Sequence, residues 1–397
     1  MAEELIDIAQ ARERVLATAR PLTPPERVPL EQALGRVLAE DVTSTQPLPP
    51  FDSSAMDGFA VIAGPPGQRT VIDESRAGRP ATRALASGEA IRISTGARIP
   101  DGADAVVPVE NVTEIDGGVE VPKTDAGAHV RLAGDDVKPG ALLIRAGADL
   151  GPAELDVLAS LGHAQLQCGV RPRVAVLVTG DELVEAGAEL GPGQIRDSNA
   201  YALAAQAQRA GATVVLRQVV PDDLGATVAA LAGALDAADM VCVSGGVSVG
   251  PHDHVKPALS KLDVQERFWG VRLKPGKPTW FGERGSALVF GLPGNPVSAM
   301  VTFHLFARPA LRRLAGADPD DVRASAVLDE PVTRNPSRDE VLRCTIAARD
   351  DGWHVSPNRE QGSHVLTSML GAGAFALVTA GEGEVAAGDR VPVELLF

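Results

Sequence analysis

The sequence predicts a multi-domain chain: an α/β domain with a parallel sheet, flanked by a helical domain, an inserted β-rich domain and a small C-terminal β-barrel. Three observations carry this. The chain has 397 residues, which suggests about two to four domains. Its middle alternates β-branched apolar runs with helical stretches, as strands joined by crossover helices do. Elsewhere many apolar residues fall into short pieces separated by glycine-rich turns, as in small β-sheets.

The first fifty residues read as helical. Leu5, Ile8, Ala9, Val15 and Leu16 lie near helical spacing, and Pro21 closes the segment. Leu30, Leu34, Val37 and Leu38 repeat the pattern after Pro29. The prolines of TQPLPPFDSSAMDGFAV then end it, predicting a boundary near Phe51. Residues 51–137 change to pieces such as FAVI, AIRI and VEVP with turn pairs Asp101-Gly102 and Asp116-Gly117, and read as a β-rich domain. Pro152 opens a helix with Leu155, Leu158 and Leu161 on one face and Gly162 as its C-cap. Packed back on the N-terminal helices, it makes residues 1–50 and 138–170 one discontinuous helical or linking domain, with the β-rich block as an insertion.

Residues 171–315 hold VAVLVTG, ATVVLRQVV and DMVCVSGG, runs of the kind buried on both faces of a parallel sheet. NAYALAAQAQRAG and DDLGATVAALAGALDAA lie between them and read as right-handed crossover helices. In such sheets ligands bind beyond the carboxyl ends of the strands. Residues 316–397 return to short strands spaced by glycine-rich turns, which read as a small barrel or sandwich.

The formal charge is 37 − 52 = −15, the opposite of a nucleic-acid-binding footprint. Cys168, Cys242 and Cys344 are too scattered for a disulfide framework or a CxxC metal pair. The start lacks a basic-then-apolar signal, and no apolar run reaches the roughly eighteen residues of a membrane span. A cytoplasmic protein without membrane or nucleic-acid partners is the expectation.

The ends of the central strands concentrate the chemistry. The first strand ends in Thr179-Gly180-Asp181-Glu182 and the second in Pro221-Asp222-Asp223. The third ends in Ser244-Gly245-Gly246-Val247-Ser248-Val249-Gly250, followed by Asp253. Arg196-Asp197-Ser198-Asn199 precedes the first crossover helix. Singly, these are helix caps and turns. Jointly, carboxylates beside a glycine-rich loop suit Mg²⁺ and a phosphate ester. Arg272, Lys274 and Lys277 sit in a proline-stiffened segment and invert the local charge, as an anionic ligand requires. GLPGNPVS, Gly291 to Ser298, follows a strand and opens a helix whose N-terminus attracts anions. Gly246 to Gly250 also matches the G-x-S-x-G elbow of serine hydrolases, yet Pro251 opposes the helix that should follow and no HGGG segment exists. His252-Asp253-His254 lacks further zinc ligands at the usual spacing.

Together with Pro50 to Ala60, Ile93 to Ala97, Val178 to Leu183 and Lys274 to Pro278, these motifs resemble the molybdopterin molybdenumtransferase family. These are the molybdenum insertases, which include bacterial MoeA and the gephyrin E domain. The motifs stand in the family's order and span nearly the whole chain. The resemblance implies an elongated homodimer of four-domain subunits, its active cleft between the α/β domain of one subunit and the inserted domain of the other. It also implies a Mg²⁺-dependent reaction that takes adenylated molybdopterin and molybdate, releases AMP and leaves molybdenum on the dithiolene.

By motif, catalytic positions fall on Asp57, Thr95, Glu182, Asp222 and Asp253. Mg²⁺ falls to Glu182, Asp222 and Asp253, with Asp57 as a further candidate. Substrate-binding positions fall on Arg131, Asp136, Gly245, Gly246, Ser248, Arg272, Lys274, Lys277, Pro293, Pro296 and Ser368. Some members carry a lysine where Gly270 stands here, and Arg272 is the candidate replacement. The molybdopterin adenylyltransferase is a candidate partner. Rival readings are a hydrolase using Ser248, a scaffold without turnover, and the adenylyltransferase itself. That last enzyme resembles the α/β domain alone, so the additional domains favour insertion.

Overall fold

The structure is a computed structural model that describes residues 5–247, 253–320 and 322–396. The chain divides into two compact units. One comprises Met1–Glu40, Ala146–Leu155 and Gln165–Phe397, the other Asp41–Arg145 and Asp156–Ala164.

The larger unit is built on a six-stranded sheet. Its strands are β1 (Arg173–Thr179), β2 (Thr213–Val220), β3 (Met240–Ser244), β4 (Gln265–Trp269), β5 (Trp280–Arg284) and β6 (Ala287–Leu292). They run in the order β2-β1-β3-β6-β5-β4. The first four are parallel, and β5 and β4 continue the sheet as an antiparallel edge. Helices α1 (Asn199–Arg209) and α2 (Leu224–Ala237) cover opposite faces. Val174, Val176 and Val178 of β1 join Met240, Cys242 and Phe290 under Leu203 of α1. Ala175 and Leu177 join Val241, Val243 and Val289 under Leu231 and Leu235 of α2. Successive residues thus enter different cores, which is why the strands read as unbroken apolar runs. Each fully buried aliphatic side chain stabilises by about 1.5–3 kcal/mol. The sheet is therefore a rigid base for the loops at its edge. β2 departs from the expectation, because it is an edge strand whose residues alternate in exposure, with Val215 42% exposed.

The helical reading after Pro29 is corrected. That segment makes one 3₁₀ turn, Leu30–Gln32, and then extends. Gly35 takes a φ of +68°, which ends helical geometry. The N–H groups of Gly35, Leu38 and Ala39 donate to the carbonyls of Leu150, Ala148 and Gln167. The N-terminal helix Ile8–Thr18 does form, capped by Asp7 and Gln10 as a capping box. It packs into the α/β core through Ala11 and Val15. Its buried Arg12 donates to Glu394 at 2.8 Å and Asp320 at 2.6 Å.

The C-terminal strands close into a barrel of Arg323–Leu328, Asp339–Arg349, Gly352–Pro357, Ala374–Val378 and Arg390–Leu395. Closure follows because Asp339–Arg349 pairs with both Gly352–Pro357 and Ala374–Val378. Leu273–Lys274 pairs in parallel with Asp339 and Glu340, which joins the KPGKP loop to the barrel.

The second unit holds another six-stranded sheet, from Gly58–Val61 to Gly118–Val121 in its longer strands. Val42–Thr43 pairs with Leu142–Ile144, so this unit reaches beyond residues 51–137. Among the described residues no helix is long and apolar enough to cross a membrane.

Candidate active site

β1 and β3 are neighbours, but the chain leaves β1 for β2 on one side and β3 for the β4–β6 side on the other. Such a switch point opens a crevice at the carboxyl ends of the strands. A cavity of about 790 Å³ lies there, within the range of small-molecule sites.

Glycines set its floor. Gly245 and Gly246 adopt φ of +92° and +64°. A Cβ on Gly245 would stand 2.8 Å from Thr179 Oγ1 and 2.9 Å from the Thr179 carbonyl oxygen. Only glycine fits this approach of the third strand's loop to the first strand's end. Asn199, at the start of α1, then ties the loops together. Its Nδ2 donates to Ser244 Oγ at 2.9 Å and to the Gly294 carbonyl at 2.7 Å. Ser244 Oγ in turn donates to the Pro293 carbonyl at 3.0 Å.

Carboxylates form one part of the wall. Glu182, Asp222 and Asp253 all line the cavity. The loops after β1 and β2 grip each other through a reciprocal exchange. Asp222 N–H donates to Asp181 Oδ1 at 3.0 Å, and Asp181 N–H donates to Asp222 Oδ2 at 3.4 Å. Among the described residues no three His, Cys, Asp or Glu side chains gather closely enough to hold a metal ion between them.

Cations form another part. Lys274, Lys277 and Arg338 line the cavity, the last contributed by the barrel domain. Lys274 Nζ lies 2.6 Å from Glu340 Oε1. Gly276 holds the lysine loop against its support, since a Cβ there would meet Thr302 Cγ2 at 2.4 Å. Asn295 Nδ2 donates to Ser363 Oγ at 3.1 Å and so joins the GLPGNP loop to the barrel.

Of the positions expected from sequence, Glu182, Asp222, Asp253, Gly245, Gly246, Lys274, Lys277, Pro293 and Pro296 come together in this wall. Within the same unit, two expected positions among the described residues lie outside it. Arg272 is exposed and is used through its backbone, its carbonyl accepting Asp339 N–H. Ser368 is the buried residue of the 3₁₀ turn Leu366–Met369, where its Oγ donates to the Val365 carbonyl and accepts from Arg343 Nε. Ser248 lies outside the described residues, as does His252. In the second unit, Asp57 Oδ1 accepts the Thr95 N–H at 2.7 Å. Arg131 pairs with Ser53 on an adjoining strand, and the Asp136 N–H donates to the Leu48 carbonyl. Gly58 is fixed as glycine there, because a Cβ would stand 2.0 Å from the Val107 carbonyl oxygen.

Sequence reasoning missed Arg338, Gln361 and Ser363 of the barrel domain, and it read Asn199 only as part of a helix start. The cysteines are no part of the site. Burial pushes Cys242 and Cys344 up to about 12 and also raises Cys168. They therefore stay protonated thiols at neutral pH.

Fold and site define a multi-domain α/β protein with a mixed-charge cavity at its switch point. Three family models match the chain in succession. The MoeA N-terminal region (domain I and II) matches residues 6–162, a probable molybdopterin binding domain 175–313, and the MoeA C-terminal region (domain IV) 325–396. The Haemophilus influenzae molybdopterin molybdenumtransferase is 36% identical, with 98% of each chain covered. Molybdopterin molybdenumtransferase 2 of Mycobacterium tuberculosis is 38% identical over 97% of this chain and 98% of its own. The crystal structure of a molybdopterin biosynthesis MoeA protein from Pyrococcus horikoshii superposes with a TM-score of 0.84 at 30% identity, covering 99% of this chain and 100% of its own. The chain belongs to the molybdopterin molybdenumtransferase family, enzymes of molybdenum-cofactor biosynthesis.

Proposed function

We propose that this chain inserts molybdate into adenylated molybdopterin with release of AMP, in a Mg²⁺-dependent reaction that yields molybdenum cofactor. The observation that carries the reading is one cavity whose wall combines Glu182, Asp222 and Asp253 with Lys274, Lys277 and Arg338. A wall of one sign would suit either a cation or an anion. A mixed wall suits a phosphate ester accompanied by a divalent cation.

The donor set fits Mg²⁺. Glu182, Asp222 and Asp253 offer hard oxygens, and although the three do not gather at one point, an ion bound through one or two carboxylates and substrate phosphates does not require all of them. One or two of Asp222, Asp253 and Glu182 would hold it, and when bound it would supply charge neutralisation to the phosphate anhydride.

The remaining work falls to the chain's own groups. Two unit anions about 6 Å apart repel by about 3 kcal/mol at an effective dielectric of about 20. Molybdate and a phosphate anhydride held together need several such terms offset, which Lys274, Lys277 and Arg338 can do. The Asn199–Ser244 link and the Asp181–Asp222 exchange fix the loops, so binding does not have to order them. Sulfur ligands for molybdenum come from the dithiolene of the substrate, because the protein's three thiols are buried and protonated.

A homodimer belongs to the reading, with the exposed Asp57–Thr95 cluster as a further substrate contact. So does receipt of the adenylated substrate from the molybdopterin adenylyltransferase. The test supplies the chain with adenylated molybdopterin, Mg²⁺ and molybdate and follows AMP and metallated pterin together. Equal appearance of both supports the reaction. AMP without metallated pterin, or neither, defeats it.

A further inference from the structure

The barrel reaches the cavity through the loop 358–363, whose Gln361, Gly362 and Ser363 lie in its wall. Strands Asp339–Arg349 and Gly352–Pro357 pair as far as Cys344 and Pro357, where the regular ladder stops. One backbone bond follows, in which the Asn358 N–H donates to the Arg343 carbonyl at 2.8 Å. The next rung is a side chain. Arg343 N–H donates to Gln361 Oε1 at 3.1 Å. Gln361 Nε2 donates to the Arg343 carbonyl at 3.0 Å and to the Asn358 carbonyl at 2.7 Å.

A side-chain amide suits this position because it offers an acceptor and two donors in one plane, as a neighbouring strand would. The partners also fix which end is oxygen, since an N–H faces Oε1 and two carbonyls face Nε2. Both amide hydrogens therefore have acceptors within the barrel. Although Gln361 lines the cavity, it has no donor left for a ligand there.

The amide instead holds the two residues that follow. Ser363 Oγ accepts Asn295 Nδ2 at 3.1 Å, and Asn295 belongs to the GLPGNP loop of the same wall. Arg343 adds longer contacts to this loop, its Nη2 donating to the Glu360 and Gly362 carbonyls at 3.4 and 3.3 Å. Those exceed the usual range, so the shorter amide bonds carry the placement. A loop already pinned does not lose its conformational freedom when a ligand arrives. We infer that Gln361 is a positioning residue, whose amide extends the barrel ladder by one rung and holds Gly362 and Ser363 as a preformed part of the cavity wall. This rests on the proposed reading of the cavity.

Gln361→Glu keeps the shape and an acceptor for the Arg343 N–H, but sets an oxygen against two carbonyls. Gln361→Ala, which removes all three bonds, is the second variant. Molybdate alone and AMP with Mg²⁺ are titrated into the full-length chain, and amide hydrogen exchange is followed without ligand. In both variants affinity for at least one probe should fall about ten-fold. Exchange in the loop 358–363 should quicken about ten-fold, while Arg323–Leu328 and Arg390–Leu395 keep their wild-type protection. In a Ser363→Ala background, Gln361→Ala should add no more than about a three-fold loss, because its effect passes through the placement of that residue. Full additivity would mean that Gln361 meets the ligand itself, and would overturn the inference. Unchanged loop exchange, or unchanged affinity for both probes, overturns it as well. Wild-type binding of neither probe removes the cavity as an anion site and the inference with it. If the wild-type chain binds a probe but releases no AMP from adenylated molybdopterin, the proposed reaction fails, while affinities and exchange still decide the role of Gln361.

Discussion

Asp222→Ala should abolish AMP release and leave the fold standing. The carboxylate is half-buried and accepts one amide bond, from Asp181 at 3.4 Å, beyond the usual range for N–H···O bonds. The shorter partner bond, from Asp222 N–H to Asp181 Oδ1 at 3.0 Å, is a backbone donation that alanine retains. A net hydrogen bond contributes about 0.5–1.5 kcal/mol, and this one belongs at the weak end, roughly 0.5–1 kcal/mol. At about 2–4 °C per kcal/mol, the melting temperature falls by only about 1–4 °C. Removing a group that stabilises developing charge lowers a rate by about 100- to 1,000-fold, or roughly 2.7–4 kcal/mol. The catalytic loss should therefore exceed the stability loss several times over. Single-turnover AMP release, measured beside calorimetric melting, separates the two. Turnover within about two-fold of wild type would refute the assignment. A melting temperature lower by ten degrees or so would show a structural residue instead.

Three further outcomes follow from the geometry. Lys274→Ala should raise the half-saturation for molybdate or for adenylated molybdopterin about ten-fold, with little change in melting. Lys274 is half-exposed in its pair with the largely buried Glu340, so solvent screens the pair from one side and holds its contribution to about 1 kcal/mol. Unchanged half-saturation for both ligands removes Lys274 from the site. Gly245→Ala should destabilise by about 2–4 kcal/mol in denaturant titrations, because a left-handed φ of +92° is combined with a 2.8 Å contact to Thr179 Oγ1. A wild-type midpoint would mean that the loop relaxes freely.

The last outcome concerns His354 in the barrel, held between Asp329 Oδ1 at 2.9 Å and Asp351 Oδ1 at 2.8 Å. Those carboxylates raise its pKa above the ordinary 6.5, and their own pKa values are lowered in return. The histidine's contribution is fully present below about 6.5 and is lost as pH rises through the folded value. The carboxylates' contribution is present above their unfolded values and is lost as pH falls through the folded ones. His354→Gln should therefore flatten the decline in melting temperature as pH rises above about 6.5. An unchanged slope would show that the pairing adds nothing.

How much of this was legible varies with the kind of signal. β1 and β3 announce themselves because both faces are buried, so residues 174–178 and 240–243 are unbroken apolar runs. β4 and β5 do not, since β4 is the edge strand with residues 265–267 exposed, and β5 runs out into Glu283 and Arg284. Residues 30–38 carry a helical spacing of apolar positions, but periodicity cannot register that Gly35 turns left-handed. The strand-end loops were readable as a site because carboxylates and glycines recur at a place where the topology gathers them. Arg338 was not, because a charged loop residue in PSRDE has no pattern to mark it. Ser363 and Ser368 share the segment QGSHVLTSM, and only the 3₁₀ turn Leu366–Met369 decides which of them lines the cavity. Asn199 looked like a helix start, and its links to Ser244 and Gly294 reach 45 and 95 residues along the chain, beyond any local pattern.

The chemistry of the cavity turns on where the oxyanion binds. Crystals of the full chain soaked with molybdate and AMP, measured at the molybdenum absorption edge, would show it directly. The anomalous peak should fall inside the cavity at the strand ends, within reach of Lys274, Lys277 or Arg338. A peak only outside that cavity, with AMP in or out of it, would contradict the account.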